Sequence, residues 1–116
     1  MAGGISVHGV DVARGVPAAG MAVELWRLEP VAQRLACGEL GANGVWDIAE
    51  ARAASMREGA HELRFHAGAY FRRTHGEHAP CLFDVVPFRL LLADLERHYH
   101  LPLKITPWGY ALFLGA

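Results

Sequence analysis

The sequence predicts an all-β fold, a β-sandwich of roughly seven or eight short strands, on three observations. Apolar residues mostly alternate with polar ones over short stretches instead of recurring at helical spacing. Glycine and proline, 13 and 6 of the 116 residues, punctuate those stretches throughout, as they do in a chain that repeatedly folds back on itself. Only one segment has a helix-forming composition. At 53% hydrophobic and 20% charged, residues 1–116 can bury a core as a single domain, without staples or metals.

The elements follow in order. Ile5 to Val10 sets Ile5 and Val7 against Ser6 and His8, a half-buried strand, and Arg14-Gly15-Val16-Pro17 with Gly20 supplies the turn chemistry after it. Met21 to Leu28 and Val31 to Leu40 read as a strand pair. Gly41-Ala42-Asn43-Gly44 is a turn because Asn and Gly accept positive φ, and Asp47 stands where it can cap the next element. That element, Ile48 to Glu58, is Ala-rich with Glu50, Arg52, Met56 and Arg57, and Gly59 follows it, so it is the predicted helix. Ala60 to Ala67 returns to strand alternation, and the polar run Arg72 to His78 reads as a solvated loop. Cys81 to Leu92 is a long strand whose Pro87 argues for an edge or a bulge. His98 to Ile105 and Tyr110 to Gly115, separated by Pro107-Trp108-Gly109, close the chain.

Several function classes drop away. Eleven Lys plus Arg stand against twelve Asp plus Glu, a formal charge of −1; that balance lacks the basic footprint of a nucleic-acid partner or a polybasic membrane anchor. No apolar run approaches the roughly 20 residues of a spanning helix, and the first residues lack a secretory pattern, so a cytoplasmic protein is expected. Cys37 and Cys81 form neither a disulfide framework nor a zinc spacing and read as buried free thiols. Ser6 and Ser55 are the only serines, and neither sits in a nucleophile-elbow pattern.

Seven histidines form a more telling excess, because imidazole is the side chain that exchanges protons most readily near neutral pH. Alternation along His98 to Ile105 sends Tyr99, Leu101, Leu103 and Ile105 to one face and His98, His100, Pro102 and Lys104 to the other. In the first strand, His8 shares the non-core face with Ser6 and Val10. If the two strands are neighbours, one surface collects His8, His100 and Lys104. The plain alternative is a solvated strand face. Against it stand Val10 and Pro102 on that face and a last strand apolar on both sides, where Tyr110, Leu112 and Leu114 alternate with Ala111 and Phe113; such a strand needs cover, most simply a second subunit. A zinc site from His8, His98 and His100 is a further alternative, but no carboxylate or cysteine ligand stands beside the pair, so no metal or cofactor is expected.

These residues carry a resemblance that runs nearly end to end. Ser6-Val7-His8-Gly9-Val10-Asp11 followed by Gly15-Val16-Pro17-Ala18-Ala19-Gly20 is similar to the opening H-V-L-D and G-x-P-A-x-G signature of the transthyretin-like proteins, and specifically of the 5-hydroxyisourate hydrolases. Ala69-Tyr70-Phe71 and Phe83-Asp84-Val85-Val86-Pro87-Phe88 resemble that family's central segments. His98-Tyr99-His100-Leu101-Pro102-Leu103 with Thr106-Pro107-Trp108-Gly109-Tyr110 resembles its H-Y-H-V-P-L and S-P-x-G-Y. The resemblance implies a two-sheet sandwich with one short helix, assembled as a homotetramer, a dimer of dimers, with small-molecule sites in the inter-dimer channel. It also implies that His8 and His100 are the catalytic imidazoles that orient and deprotonate water.

Three departures from the family pattern shape the expected pocket. Val45 follows Asn43-Gly44 where the hydrolases carry arginine. Phe113-Leu114-Gly115-Ala116 stands where they end Tyr-Arg-Gly-Ser, and Lys104 replaces a usual leucine. Lost donors leave a polar purine product with unpaired groups against apolar walls. The expectation is therefore a diverged hydrolase-like enzyme for a small, more apolar cyclic molecule, opening or closing a ring. His8 and His100 would move protons and Lys104 would steady negative charge, while Val10, Val45, His98, Pro102, Ala111, Phe113, Leu114, Gly115 and Ala116 line the substrate. The alternatives are an authentic 5-hydroxyisourate hydrolase and a non-catalytic carrier using the same channel.

Overall fold

The first and last long strands of the chain lie side by side and parallel, an arrangement no local sequence pattern announces. The computed structural model describes residues 3–47 and 56–115. Strand β1 (Gly4–Asp11) pairs with β8 (His98–Ile105) along its whole length, from Gly4 opposite His98 to Asp11 opposite Ile105. The other edge of β1 is shared by β2 (Val16–Pro17), antiparallel to Val10 and Asp11, and β5 (Val45–Asp47), antiparallel to Ser6, Val7 and His8. Beyond β8 lies the short antiparallel β9 (Tyr110–Leu112), completing a five-stranded sheet. The second sheet runs β4 (Gln33–Glu39), β3 (Ala22–Arg27), β6 (Gly59–Phe65), β7 (Val86–Leu92), all antiparallel.

Period-two alternation decides what is buried. Ile5 and Val7 of β1, with Leu101, Leu103 and Ile105 of β8, face Leu25 of β3 and Leu63 and Phe65 of β6, all at most 2% exposed. Each buried large apolar side chain contributes about 1.5–3 kcal/mol relative to leaving it in water. A sandwich is the result, because each sheet has one apolar face and the two faces cover each other.

The described helix, α1 (Ala67–His75), falls where the sequence reading placed the end of a strand and a solvated loop. Its beginning gives no signal: His66 makes no side-chain capping bond, the first turn holds no acidic residue, and Gly68 lies inside it. Burial of Tyr70 and Phe71 holds it, while Arg72, Arg73 and His75 in the last turn suit the negative end of the helix dipole. The predicted helix at Ile48 to Glu58 lies largely outside the described residues, and its last residues, Met56 to Glu58, are not helical. Two further expectations are corrected. The strand expected over Cys81 to Leu92 begins only at Val86, because the preceding segment bonds to other parts of the chain: the Gly68 amide donates to the Asp84 carbonyl and the Leu82 amide to the Pro107 carbonyl. Cys37, expected buried, is exposed on β4, which lies at a sheet edge; Cys81 is half-buried with its thiol donating to the Phe83 carbonyl at 3.1 Å. Asp47 ends strand β5, and the element it was expected to cap lies largely outside the described residues.

The strand expected over Tyr110 to Gly115 stops at Leu112. Its pairing runs Ile105 with Tyr110, Lys104 with Ala111, Leu103 with Leu112, so the next partner of Phe113 is Pro102, which has no amide hydrogen to give. The ladder lapses at the proline. It resumes two residues on, where the Gly115 amide donates to the His100 carbonyl at 2.7 Å.

Candidate active site

Register converts the five-stranded sheet into a grid, because residues opposite one another on neighbouring strands send their side chains to the same face about 5 Å apart. On the face turned away from the core, Val45, His8 and Pro102 form one row across β5, β1 and β8. Asp47, Ser6 and His100 form the next. Val10, Lys104 and Ala111 form a third, across β1, β8 and β9. Gly4 and His98 end the series. The two strands expected to be neighbours are neighbours, and one surface does collect His8, His100 and Lys104.

The rows differ in how their polar groups are satisfied. Ser6, 8% exposed, has its hydroxyl 2.8 Å from His98 Nε2 and 2.8 Å from His100 Nδ1. His98 donates from Nδ1 to the Gly3 carbonyl at 2.8 Å. Both nitrogens of His98 are thus engaged, and the same bonds use nitrogens that a zinc site would need. Among the described residues no group of three or more His, Cys, Asp or Glu could hold a metal ion. His8 is half-buried and Lys104 exposed, and among the described residues neither ring nor ammonium has a hydrogen-bond or ion-pair partner.

Two glycines keep the imidazoles where they are. Gly44 has φ +82°, and a Cβ there would lie 2.4 Å from the Gly9 carbonyl oxygen and 3.2 Å from Cδ2 of His8. Only glycine lets this turn close against His8 while its carbonyl accepts from the Gly9 amide at 2.8 Å. Gly115 lies against the other histidine: a Cβ would meet Pro102 at 3.1 Å and His100 Cδ2 at 3.2 Å.

Beneath the face, the fully buried Asp11 anchors the end of β1. It accepts from the Tyr70 hydroxyl at 2.9 Å, from His75 Nε2 at 3.1 Å and from the Arg14 amide at 3.1 Å. Burial pushes its pKa up, but the hydrogen bonds from His75, Tyr70 and Arg14 and the charge of His75 outweigh burial, and the net displacement is downward from 3.8.

The apolar residues expected around the imidazoles are spread as the register dictates. Val10 and Pro102 are half-buried and Val45 and Phe113 are 37% and 45% exposed. Leu114, 44% exposed, follows Phe113 and by the same count falls opposite Leu101, on the alternate side of the sheet. Ala111 is exposed beside Lys104; Ala116 lies outside the described residues. Ser6 and Asp47 are the residues the sequence reading left out of the site. Ser6 had a signal, standing two residues before His8 on the same face; Asp47 had none, because the sequence offers it as a cap for the segment after it and announces no strand at β5.

The strands that bring these two imidazoles together come from opposite ends of the chain, and known relatives match the chain over nearly that whole length. Residues 5–115 match the family described as HIUase/Transthyretin. The chain belongs to that family. It is 35% identical to a 5-hydroxyisourate hydrolase of Deinococcus radiodurans, over 97% of this chain and 96% of that one. It is 38% identical to a 5-hydroxyisourate hydrolase of Mesorhizobium japonicum, over 98% and 93%. The solved structure of Klebsiella pneumoniae 5-hydroxyisourate hydrolase superposes with a TM-score of 0.81 at 27% identity, covering 98% of this chain and 94% of that one. The two-sheet sandwich expected of this family is the fold observed.

Proposed function

We propose that this single-domain chain is a 5-hydroxyisourate-hydrolase-like enzyme of the cell interior that performs imidazole acid–base chemistry on a small cyclic molecule more apolar than 5-hydroxyisourate. The observation that carries the proposal is the pairing on one strand face of His8, whose ring has no partner among the described residues, with His100, whose Nδ1 is tied to Ser6. Here reactive nitrogens are left toward a surface walled by Val10, Val45, Pro102 and Phe113.

The chemistry balances with these groups alone. His100 takes a proton from water, whose oxygen adds to a ring carbonyl carbon; the resulting oxyanion faces the Lys104 ammonium. The carbon–nitrogen bond of the ring then breaks, and the proton passes through the imidazoles to the departing nitrogen. Run backwards, the same shuttle closes a ring.

A second copy of the chain completes the site. In one chain the half-buried imidazoles lie on an open sheet face beside the exposed Val45 and Phe113. Association through that face, as a dimer of dimers, excludes water and strengthens every charge interaction inside. Authentic 5-hydroxyisourate hydrolysis is the second reading, favoured by relatives of that name that match along their whole length. It requires Lys104 to do the work of an arginine.

The experiment is steady-state turnover of freshly prepared 5-hydroxyisourate and of cyclic ureides and lactams carrying alkyl groups in place of ring carbonyls, with equilibrium binding of each. The proposal expects the alkyl-bearing rings to be processed with the higher kcat/KM. Preference for 5-hydroxyisourate supports the second reading. Saturable binding without turnover of any ring marks a carrier and overturns both.

A further inference from the structure

Ser6 lies between two imidazoles and within bonding distance of both, and the far end of this chain of groups has a fixed polarity. A carbonyl oxygen can only accept, so the 2.8 Å contact between Gly3 and His98 Nδ1 places the His98 proton on Nδ1. The Nε2 of an uncharged His98 is then an acceptor, and the Ser6 hydroxyl, 2.8 Å away, must donate to it. With its one proton committed, Ser6 can only accept from His100, whose Nδ1 is 2.8 Å from Oγ. The proton of uncharged His100 therefore sits on Nδ1, and the lone pair on Nε2.

We propose that Ser6 and His98 are positioning residues whose hydrogen-bonded chain, starting at the Gly3 carbonyl, locks His100 in its Nδ1–H form and presents a bare Nε2 as the base. The importance of that base rests on the proposed reaction; the locked tautomer does not. Ser6 is buried and its hydroxyl is bonded to the two imidazoles, so it acts through His100. Asp47, opposite Ser6 on β5, is exposed, and its carboxylate has no hydrogen-bond or ion-pair partner among the described residues. In other sites a hydrogen bond to one imidazole nitrogen commonly decides which nitrogen does the work.

The test is a long-range proton–nitrogen correlation spectrum of the histidine side chains of ¹⁵N-labelled full-length protein, in alkaline buffer where the rings are uncharged. Turnover is measured alongside on whichever ring the wild-type protein processes best. Wild-type His98 and His100 are expected to be protonated at Nδ1 and bare at Nε2. In Ser6→Ala, His100 loses that preference and kcat falls about tenfold with KM held within twofold, a fraction of the roughly 10²–10⁴-fold that a general base supplies. Ser6→Thr, which keeps the hydroxyl and suits a strand, restores both readouts.

His98→Leu gives the sharpest result, and His98 is exposed enough for the variant to fold. Without its acceptor, the Ser6 hydroxyl turns and donates to His100 Nδ1. The His100 proton moves to Nε2, and turnover falls further than in Ser6→Ala. The proposal is overturned if wild-type His100 carries its proton on Nε2, or if the His100 tautomer is the same in wild type and His98→Leu. Absent turnover with the expected tautomers overturns the proposed reaction and leaves the relay standing, so the two failures are distinguishable.

Discussion

The outward faces of the two sheets are built on the same grid and settle their polar groups in opposite ways. On the β4-β3-β6-β7 sheet, Arg64 donates to Glu62 at 2.7 Å, Arg89 reaches the same carboxylate at 3.2 Å, and Trp26 donates to Glu24 at 2.9 Å. His66 Nε2 lies 2.5 Å from Glu24, and the Arg64 guanidinium stacks 4.2 Å above the Trp26 ring. These groups satisfy one another. On the β2-β1-β8-β9 face, His8 and Lys104 face outward without partners among the described residues, and the bonds that do form, through Ser6, orient a ring and leave one of its nitrogens free. The first face contributes to holding the chain together; the second leaves chemistry available. Position on a strand does not distinguish them, because both consist of polar residues alternating with core residues. Hydrogen-bond accounting does.

The widest contrast comes from beneath the active face. Replacing Asp11 with alanine strands the Tyr70 hydroxyl, the His75 ring and the Arg14 amide, and should lower stability by about 2–4 kcal/mol. The midpoint of urea unfolding measures it. An unchanged midpoint would mean that β1, and with it His8, is held by something other than this anchor.

Acid should act on both faces, more gradually. Burial raises the Glu62 pKa, but the bonds and charges of Arg64 and Arg89 outweigh it; bonds from His66 and Trp26 lower that of Glu24. Both end below 4.5, as Asp11 ends below 3.8. A carboxylate whose folded pKa is depressed stabilises the fold above its unfolded value and loses that contribution as pH falls through the folded one. Stability should therefore hold down to roughly pH 5 and decline below it, as thermal melts across pH 2–7 would record. A maximum of stability at pH 3 contradicts the assignment. The smallest effect belongs to Arg89→Ala. Its side chain is 69% exposed, and such a pair is worth about 0–1 kcal/mol; turnover should not change, and any large loss of turnover would erase the distinction between the faces.

Much of the active face was legible before the fold, because a period of two separates His98, His100 and Lys104 from Tyr99, Leu101 and Leu103 whatever the strands do next. The family signature supplied the neighbour relation of β1 and β8, which local pattern cannot: a parallel pair joins residues more than ninety positions apart, such as Ser6 and His100. Ser6 was passed over because its role depends on that register, and a serine two residues before a histidine is ordinary in isolation. Helix α1 was missed because its beginning carries no capping residue and a glycine interrupts it; Tyr70 and Phe71 hold it only once the sandwich exists to receive them. The end of β9 shows local chemistry overriding pattern, since the alternation of Tyr110 to Leu114 continues past Leu112 but Pro102 has no hydrogen to offer Phe113.

A matched pair of substitutions, one histidine from each face, tests the division most directly. His100→Ala and His66→Ala remove the same ring from strand-borne or strand-adjacent positions, and each is followed by kcat/KM on the preferred ring substrate and by the unfolding midpoint. His100→Ala is expected to lose about a hundredfold or more of kcat/KM with its midpoint little changed, while His66→Ala keeps kcat/KM within twofold and loses a modest amount of stability. Equal loss of turnover in the two variants, or full turnover in His100→Ala, contradicts the account.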